Sequence, residues 1–182
     1  MTRKTRKDRY EEKLKTSKKY NISLAIIGIS NDNNVGFAIR TAACFGLKKL
    51  YVIGSPADKQ LHNGLSGTTF DFVDIVNIKS TNEFLEFVEK ESIHLISAEL
   101  TDNAKNLYDF EFPLEKEIIL IIGNESFGVP GEIIFKSETV YIPMGGPGFC
   151  LNTVMAGTAI ISEYMRQLSC SDNSINLLKS AS

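Results

Sequence analysis

The chain has few of the residues on which many small active sites depend. Its 182 residues include three cysteines and two histidines. Cys44, Cys150 and Cys170 are scattered and odd in number, which argues against a disulfide scaffold and predicts a reducing, cytoplasmic location. No His/Cys/Asp cluster has metal-ligand spacing, and neither histidine has a serine or cysteine partner for triad chemistry. We therefore expect no metal site.

Long hydrophobic runs and the common phosphate-binding motifs are also missing. No apolar stretch approaches the length of a membrane span, and the N-terminus is too charged for a secretory signal. The first strand-like run is not followed by GxGxxG, and no Walker-type GxxxxGK[ST] occurs. The remaining composition, 43% hydrophobic and 23% charged, is typical of one globular core without a membrane partner.

Charge is distributed unevenly along the chain. Residues 1–20 carry nine Lys/Arg and three acidic residues, a net charge of +6, whereas residues 21–182 carry a net charge of −8. A basic arm on an acidic body is expected when an extension grips a polyanion. A solvated, partly helical tail has the same composition, and charge alone does not separate the two interpretations.

Apolar runs alternate with helical patterns after this arm. Strands are predicted near 22–29, 49–53, 72–78, 93–98, 117–122 and 139–142. Helices are predicted near 34–46, 81–91, 103–108, 129–136 and 151–168. Nearly continuous apolar strands in βα alternation favour an α/β fold whose mostly parallel sheet has helices on both faces. We expect a basic arm (1–20), one domain (21–170) and a short tail (171–182).

Ligands of such sheets bind beyond the carboxyl ends of the strands. Three loops there carry polar or glycine-rich sequence, at 30–36 (SNDNNVG), 123–128 (GNESFG) and 143–150 (PMGGPGFC). The long connection 54–71 forms either a wall of the site or a plain surface loop. The pairing of the second and third loops predicts one pocket for a small molecule.

The helix after the first strand carries a single arginine away from its apolar stripe. Asn33 or Asn34 is placed to cap this helix, and Gly46 to end it. The stripe predicted to face the sheet is formed by Phe37, Ala38, Thr41, Ala42 and Phe45. Arg40 falls on the side of Gly36, where it would meet a phosphate or carboxylate or remain an ordinary solvated arginine.

The other two segments allow both structural and functional interpretations. In GNESFG, glycines permit close approach of a ligand and Asn and Glu offer hydrogen bonds, although these residues also simply favour turns. The last helix is apolar or small nearly all round. It therefore packs against the sheet and a second surface, either a symmetric partner or the long connection.

Together the three segments resemble the three motifs of the SpoU (TrmH-like) RNA ribose 2′-O-methyltransferases of the SPOUT superfamily. The first motif corresponds to Asn34-Val35-Gly36 through Arg40-Thr41-Ala42, and the second to Gly123-Asn124-Glu125. The third corresponds to Ile142-Pro143-Met144, a glycine-bearing turn, and Leu151-Asn152 at the start of a helix. Order and spacing match over about residues 21–166.

The resemblance implies a deep trefoil knot near the C-terminus, against the usual unknotted rule, and S-adenosylmethionine as cofactor. It also implies a homodimer with the last helix in the interface, and tRNA or rRNA as substrate. The implied cofactor-binding residues are Glu99, Leu100, Gly123, Asn124, Ile142, Met144 and Leu151. The implied catalytic residues are Arg40, Asn34, Glu125, Asn152 and the position of Cys150.

Two points of chemistry qualify these assignments. The family chemistry gives the arginine the role of general base, yet arginine is always protonated. Arg40 is therefore expected to orient the ribose and an adjacent phosphate, with the phosphate assisting proton removal. Cys150 stands where the family usually has serine, and its thiol is a weaker hydrogen-bond donor. Competing hypotheses are an RNA-binding homologue without turnover and an α/β enzyme acting on a small metabolite.

Overall fold

The protein is built on one seven-stranded sheet in which every strand pair is parallel. The computed structural model describes residues 5–148 and 150–171. The strands are β1 (Ile22–Ile27), β2 (Leu50–Ile53), β3 (Ile75–Ile78), β4 (His94–Ala98), β5 (Lys105–Asn106), β6 (Ile118–Ile122) and β7 (Glu138–Tyr141). Their order is β3-β2-β1-β6-β4-β7-β5. This confirms the predicted α/β class and the parallel sheet.

Continuous apolar sequence places β1 and β6 at the centre of the sheet. All six residues of β1 and all five of β6 are buried, and Leu24 lies opposite Leu120 in the shared register. A strand covered on both faces cannot alternate polar and apolar side chains, which explains the unbroken ISLAII and IILII runs. The chain leaves β1 towards β2 and leaves the neighbouring β6 towards β7, on the opposite side, so a topological switch point lies between β1 and β6.

Helices cover both faces, as predicted. They are α1 (Arg6–Thr16), α2 (Asp32–Phe45), α3 (Lys59–Leu65), α4 (Thr81–Glu91), α5 (Gly131–Ile134) and α6 (Thr153–Ser171). The core cluster on one face joins Leu24 of β1 to α2 and α6. The cluster on the other face joins Ala25 of β1 to α4 and α5. The α3 helix packs on the outside of α2 rather than on the sheet.

Two predicted segments differ in the structure. Residues 103–108 contain the two-residue edge strand β5 instead of a helix. Lys105 and Asn106 pair with β7, the Leu107 N–H donates to the Tyr141 carbonyl, and the Leu107 side chain is buried. The connection 54–71 is not a plain loop: Asp58 caps α3 by accepting from the Leu61 N–H at 2.9 Å. A 3₁₀ helix (Phe70–Phe72) follows, so β3 begins later than predicted.

Details of α2 also correct the prediction. Asn31 is the N-cap, because its side chain accepts from the Asn33 N–H at 2.9 Å, and neither predicted candidate has this role. Phe37 is 46% exposed rather than facing the sheet, and Ile39 is buried there instead. Gly46 ends the helix with φ +64, as predicted.

The basic arm contains α1 and rests on the body. Thr5 and Asp8 form a reciprocal capping box, and Tyr10 packs against Phe72 with ring centroids 5.5 Å apart. The Lys19 ammonium donates to the Leu47 carbonyl at 3.0 Å, next to the amino-terminal edge of the sheet. The predicted tail 171–182 lies outside the described residues beyond Ser171, as do residues 1–4 of the arm.

Within the described ranges, no helix is long and apolar enough to cross a membrane. The same ranges contain no group of three His, Cys, Asp or Glu side chains arranged to hold a metal. Cys44, Cys150 and Cys170 are free thiols on the surface.

Candidate active site at the carboxyl edge of the sheet

A carboxylate joins the loops that follow the two central strands. Glu125, in the turn after β6, accepts at Oε2 from the N–H and hydroxyl of Ser30 at 3.2 and 3.1 Å. Its Oε1 accepts from the Asn34 side-chain amide at 2.7 Å and the Asn31 N–H at 3.3 Å. Burial alone would raise the pKa of Glu125, but these hydrogen bonds outweigh it and lower the pKa. Glu125 is therefore held as an anion.

The network continues from Asn34 to the start of α6. The side-chain oxygen of the buried Asn34 accepts from the Asn152 side-chain amide at 2.9 Å. The Asn152 oxygen in turn accepts from the N–H groups of Val154 and Met155, which caps α6. Residues from all three motif segments of the sequence thus meet in one chain of hydrogen bonds.

Asn124 shapes the turn that presents Glu125. Its side-chain amide donates to the Gly28 carbonyl at 2.7 Å, and its side-chain oxygen accepts from the N–H groups of Ser126 and Phe127. Its backbone exchanges two hydrogen bonds with Gly128. Each of these groups is engaged within the protein, so Asn124 shapes the turn, and its contact with a cofactor stays a prediction.

Glu99, at the end of β4, fastens the other side of this turn. Its Oε2 accepts from the Val129 N–H at 2.9 Å, and its Oε1 accepts from the Leu100 N–H at 3.2 Å. Gly128 has φ +68, and a Cβ there would lie 2.4 Å from Glu99 Oε2. Only glycine fits this position without strain or displacement.

The segment after β7 meets the same turn. The Thr153 hydroxyl donates to the Gly123 carbonyl at 3.0 Å, and a Cβ on Gly123 would lie 2.1 Å from the Gly128 backbone. Ile142 is half-buried, and Met144 and Leu151 are exposed at this edge, as is Leu100 beside Glu99. The start of α6, just after the third segment, therefore contacts the second segment. The pocket between loops 123–128 and 143–150 stays a prediction, and Phe149 lies outside the described residues.

Arg40 does not join the network. Its guanidinium lies on the flank of α2 that faces α3, where Nη1 is 3.2 Å from the Cβ position of Gly67. No hydrogen bond between Arg40 and Asn34, Glu125 or Asn152 occurs in the described part of the chain. Cys150 is an exposed thiol two residues before Asn152. Of the predicted catalytic residues, the structure brings together Asn34, Glu125 and Asn152.

Sequence reasoning missed Ser30 and Asn31 as partners of Glu125, and His62 as a buried side chain. His62 Nδ1 accepts from the Asp58 N–H at 2.9 Å, and its Nε2 lies 3.4 Å from Asp32 Oδ1 without hydrogen-bond geometry. The ring is thus fixed within the N-terminal turn of α3 and lies beside the start of α2. Only the polar run SNDNN after β1 signalled the first pair, and no local signal marked His62.

A largely apolar groove of about 470 Å³ runs between α2 and α6 and reaches Asn152. Its lining includes Phe37, which is 46% exposed, and Met155, which is 62% exposed. The Thr41 and Thr158 hydroxyls hydrogen-bond at 3.0 Å across the floor between the helices. This surface is the second apolar side of the last helix that the sequence predicted.

A parallel α/β sheet with a polar network at its switch point defines a class of proteins that bind ligands beyond the strand ends. Within that class, the chain belongs to the SpoU rRNA Methylase family, whose model matches residues 21–162. The predicted resemblance is confirmed.

Individual relatives are between 26% and 30% identical to this chain over the aligned residues. A 23S rRNA (uridine(2479)-2′-O)-methyltransferase of Streptomyces viridochromogenes is 30% identical over 76% of this chain and 50% of its own length. A tRNA (cytidine(34)-2′-O)-methyltransferase of Ancylobacter novellus is 29% identical over 80% and 92%. The chain therefore spans about half the length of the first relative and nearly all of the second.

Solved structures show the same fold. The SpoU methyltransferase AviRb from Streptomyces viridochromogenes, in complex with AdoMet, superposes with a TM-score of 0.72 at 27% identity, covering 81% of this chain and 60% of that one. A structure described as giving insights into 2-OH methylation of C/U34 on tRNA has a TM-score of 0.72 at 25% identity, covering 82% and 97%. This likeness places the chain in the SPOUT class, with its C-terminal trefoil knot, as predicted.

Proposed function

We propose that this chain is an S-adenosylmethionine-dependent RNA 2′-O-ribose methyltransferase that acts on tRNA or rRNA. The observation that carries the proposal is the hydrogen-bonded chain from Glu125 through Asn34 to Asn152. It unites three separate segments in a family whose relatives include 2′-O-methyltransferases of both RNA classes. Because this network is intact, an active methyltransferase is favoured over an RNA-binding homologue without turnover.

The edge formed by β4, β6 and β7 suits a methyl donor of this kind. Gly123 leaves no room for a side chain of its own, and Leu100, Met144 and Leu151 present uncovered apolar side chains suited to flank an adenosine. Ile142 and the backbone of these residues would hold the donor, while Glu99 and Asn124 fix the turn beside it. When bound, the donor supplies a methyl group on a positively charged sulfur.

The polar network would position the target ribose rather than remove its proton. Glu125 already accepts four hydrogen bonds and has a lowered pKa, which makes it a weak base. Asn34 is fixed at both ends of its amide, so it is a rigid neighbour for a hydroxyl. Arg40 would bind the phosphate next to that ribose, and the phosphate would assist removal of the 2′-hydroxyl proton.

The basic arm supports a polyanionic substrate. Arg9, Lys13, Lys15 and Lys18 are exposed on or next to α1, while Tyr10 and Lys19 attach it to the body.

A homodimer through α6 is supported by the groove between α2 and α6. Its exposed aromatic and aliphatic side chains lie beside Asn152, so a second copy seated there would cover apolar surface and border the site. Three free surface thiols fit a reducing, cytoplasmic location.

The test is transfer of label from the methyl-labelled donor to total RNA. We expect alkali-resistant dinucleotides, the signature of a 2′-O-methyl group, and mapping of the labelled site identifies the RNA. The matched control is Asn34→Ala, which removes both links of the network while leaving the apolar core of α2 unchanged. Absence of alkali-resistant label from the folded wild-type protein, or equal label with the control, would refute the proposal.

A further inference from the structure

Phe127 is an aromatic side chain in open solvent, two residues from Glu125. It is 91% exposed, whereas most large apolar side chains in the described ranges are buried or partly buried. The turn that carries it, 123–128, supplies the carboxylate of the polar network. No aromatic, hydrogen-bond or ionic partner of its ring occurs among the described residues.

The backbone beneath Phe127 is held in place. Its N–H donates to the Asn124 side-chain oxygen at 3.1 Å, and the turn closes through two backbone hydrogen bonds between Asn124 and Gly128. Glu99 fastens Val129, just beyond the turn, to β4. A ligand that met Phe127 would therefore not have to order the backbone first, which lowers the entropic cost of binding.

The neighbours of Phe127 favour a flat, isolated partner over an apolar protein surface. The two preceding residues in the turn, Glu125 and Ser126, are polar and exposed. A protein interface needs a contiguous apolar centre, whereas one aromatic ring among polar groups suits stacking on a planar base. The backbone from Glu125 to Phe127 spans at most about 7 Å, so a base on the ring would lie close to the network.

We infer that Phe127 is the stacking platform for an unpaired base next to the target nucleotide. This inference rests on the proposed function and deepens it, because the substrate would then be RNA whose target lies in a single-stranded loop or bulge. Such loops expose bases that can be splayed onto an aromatic ring, whereas bases within an A-form duplex cannot reach one. Phe127 would act on RNA affinity and site choice and would leave the donor untouched.

The chain offers a matched control for this role. Phe135 is also 91% exposed, but it follows α5 and precedes β7, at the opposite, amino-terminal edge of the sheet. Replacing either phenylalanine with alanine removes the same side chain from solvent, so loss of folding stability should be small and similar. Only the Phe127 variant should change RNA recognition.

Initial rates of transfer to total RNA test the inference. We expect Phe127→Ala to raise KM for RNA about tenfold and to leave KM for the donor unchanged, since stacking of one base contributes about 1–3 kcal/mol. Phe127→Tyr should retain wild-type values, Phe127→Leu should behave like the alanine variant, and Phe135→Ala should be neutral. A neutral Phe127→Ala, or a leucine variant equal to wild type, overturns the stacking role. A change in oligomeric state or donor KM also overturns it, because Phe127 would then belong to a protein interface or to the donor pocket.

A binding measurement separates this inference from the proposed activity. A single-stranded RNA carrying 2-aminopurine is titrated with the full chain. Stacking on Phe127 should quench the fluorescence in the wild type and in Phe135→Ala but not in Phe127→Ala. Quenching without any methyl transfer would refute the methyltransferase function and leave the stacking role of Phe127 standing. Transfer that does not depend on Phe127 in either assay would refute the stacking role and leave the methyltransferase function standing.

Discussion

Glu125 shows how one side chain organises a site built from distant parts of the chain. Its two oxygens accept from the loop after β1 and from Asn34, more than 90 residues away in sequence. Asn34 in turn accepts a hydrogen bond from Asn152 at the start of α6. Because every donor in this set has a fixed partner, the arrangement is preorganised before any ligand arrives.

The lowered pKa of Glu125 makes its contribution to stability dependent on pH. Burial alone would raise this pKa, but the hydrogen bonds lower it beneath its ordinary value of 4.5. The stabilisation is therefore complete above pH 4.5 and is lost as the pH falls through the lower, folded-state value. We expect the melting-temperature difference between wild type and Glu125→Gln to be constant near neutral pH and to shrink below pH 4.5. A difference that grew on acidification would contradict this assignment.

Arg40 is the second residue whose role can be isolated. Because it lies towards Gly67 and away from Glu125, its replacement should disturb neither the network nor the edge proposed for the donor. We expect Arg40→Ala to reduce transfer to RNA about 10²-fold or more while donor affinity, measured by calorimetry, stays unchanged. Arg40→Lys keeps the charge but loses the fork that binds phosphate, so it should recover only part of the rate. Equal loss of donor affinity would contradict the assignment.

At the scale of elements, the turn 123–128 depends on a close approach between the ends of two strands. Gly128 has φ +68, and the carboxylate of Glu99 occupies the space that a Cβ would need. We expect Gly128→Ala to lower the free energy of unfolding by about 1–3 kcal/mol, measured in urea.

The matched control for that prediction is Gly131→Ala, because a Cβ at Gly131 meets nothing within 4 Å. It should be close to neutral. Combining Gly128→Ala with Glu99→Ala removes the overlap but not the backbone strain, so partial recovery is expected. If the two glycine variants were equally stable, the close approach of Glu99 would not matter.

Elements were predictable from sequence where a local signal determined them. The unbroken apolar runs of β1 and β6 and the glycine at Gly46 were sufficient for those strands and for the end of α2. The helix predicted at 103–108 was wrong because β5 forms only by pairing with β7, which lies more than 30 residues later. The prediction that Phe37 faces the sheet was also wrong. The helical period places Phe37 in the apolar stripe, but the packing of α2 against α6 decides which part of that stripe is covered.

At the scale of the whole molecule, the arm lies near the edge opposite the site. Removing residues 1–17 keeps Lys19 and Tyr20, which bind Leu47 and Gly46, and removes α1. We expect weaker RNA binding and a flatter dependence of log K on log salt, by about 0.7–0.9 for each phosphate that the arm neutralises. Lys13→Gln with Lys15→Gln keeps the helix and should show a smaller change of the same sign. An unchanged salt slope in the deletion would remove the arm from RNA binding.

The proposed dimer can be tested on the groove between α2 and α6. Met155 is 62% exposed there, so aspartate should be tolerated by the monomer but not by an apolar interface. We expect Met155→Asp to halve the mass measured by light scattering. Leu61→Asp, at a half-exposed position on α3, is the control and should leave the mass unchanged. A wild-type chain that is already monomeric at micromolar concentration would contradict the proposal.

The sequence by itself determined the α/β class, the central strands and the three segments that carry polar chemistry, because burial on both faces and motif order are properties of short stretches. Tertiary structure alone decided that Glu125 binds Ser30 and Asn34 while Arg40 stands apart beside Gly67. Hydrogen bonds between side chains about 95 residues apart depend on how strands order themselves in the sheet. The insertion of β6 between β1 and β4 sets that order, and no local pattern encodes it.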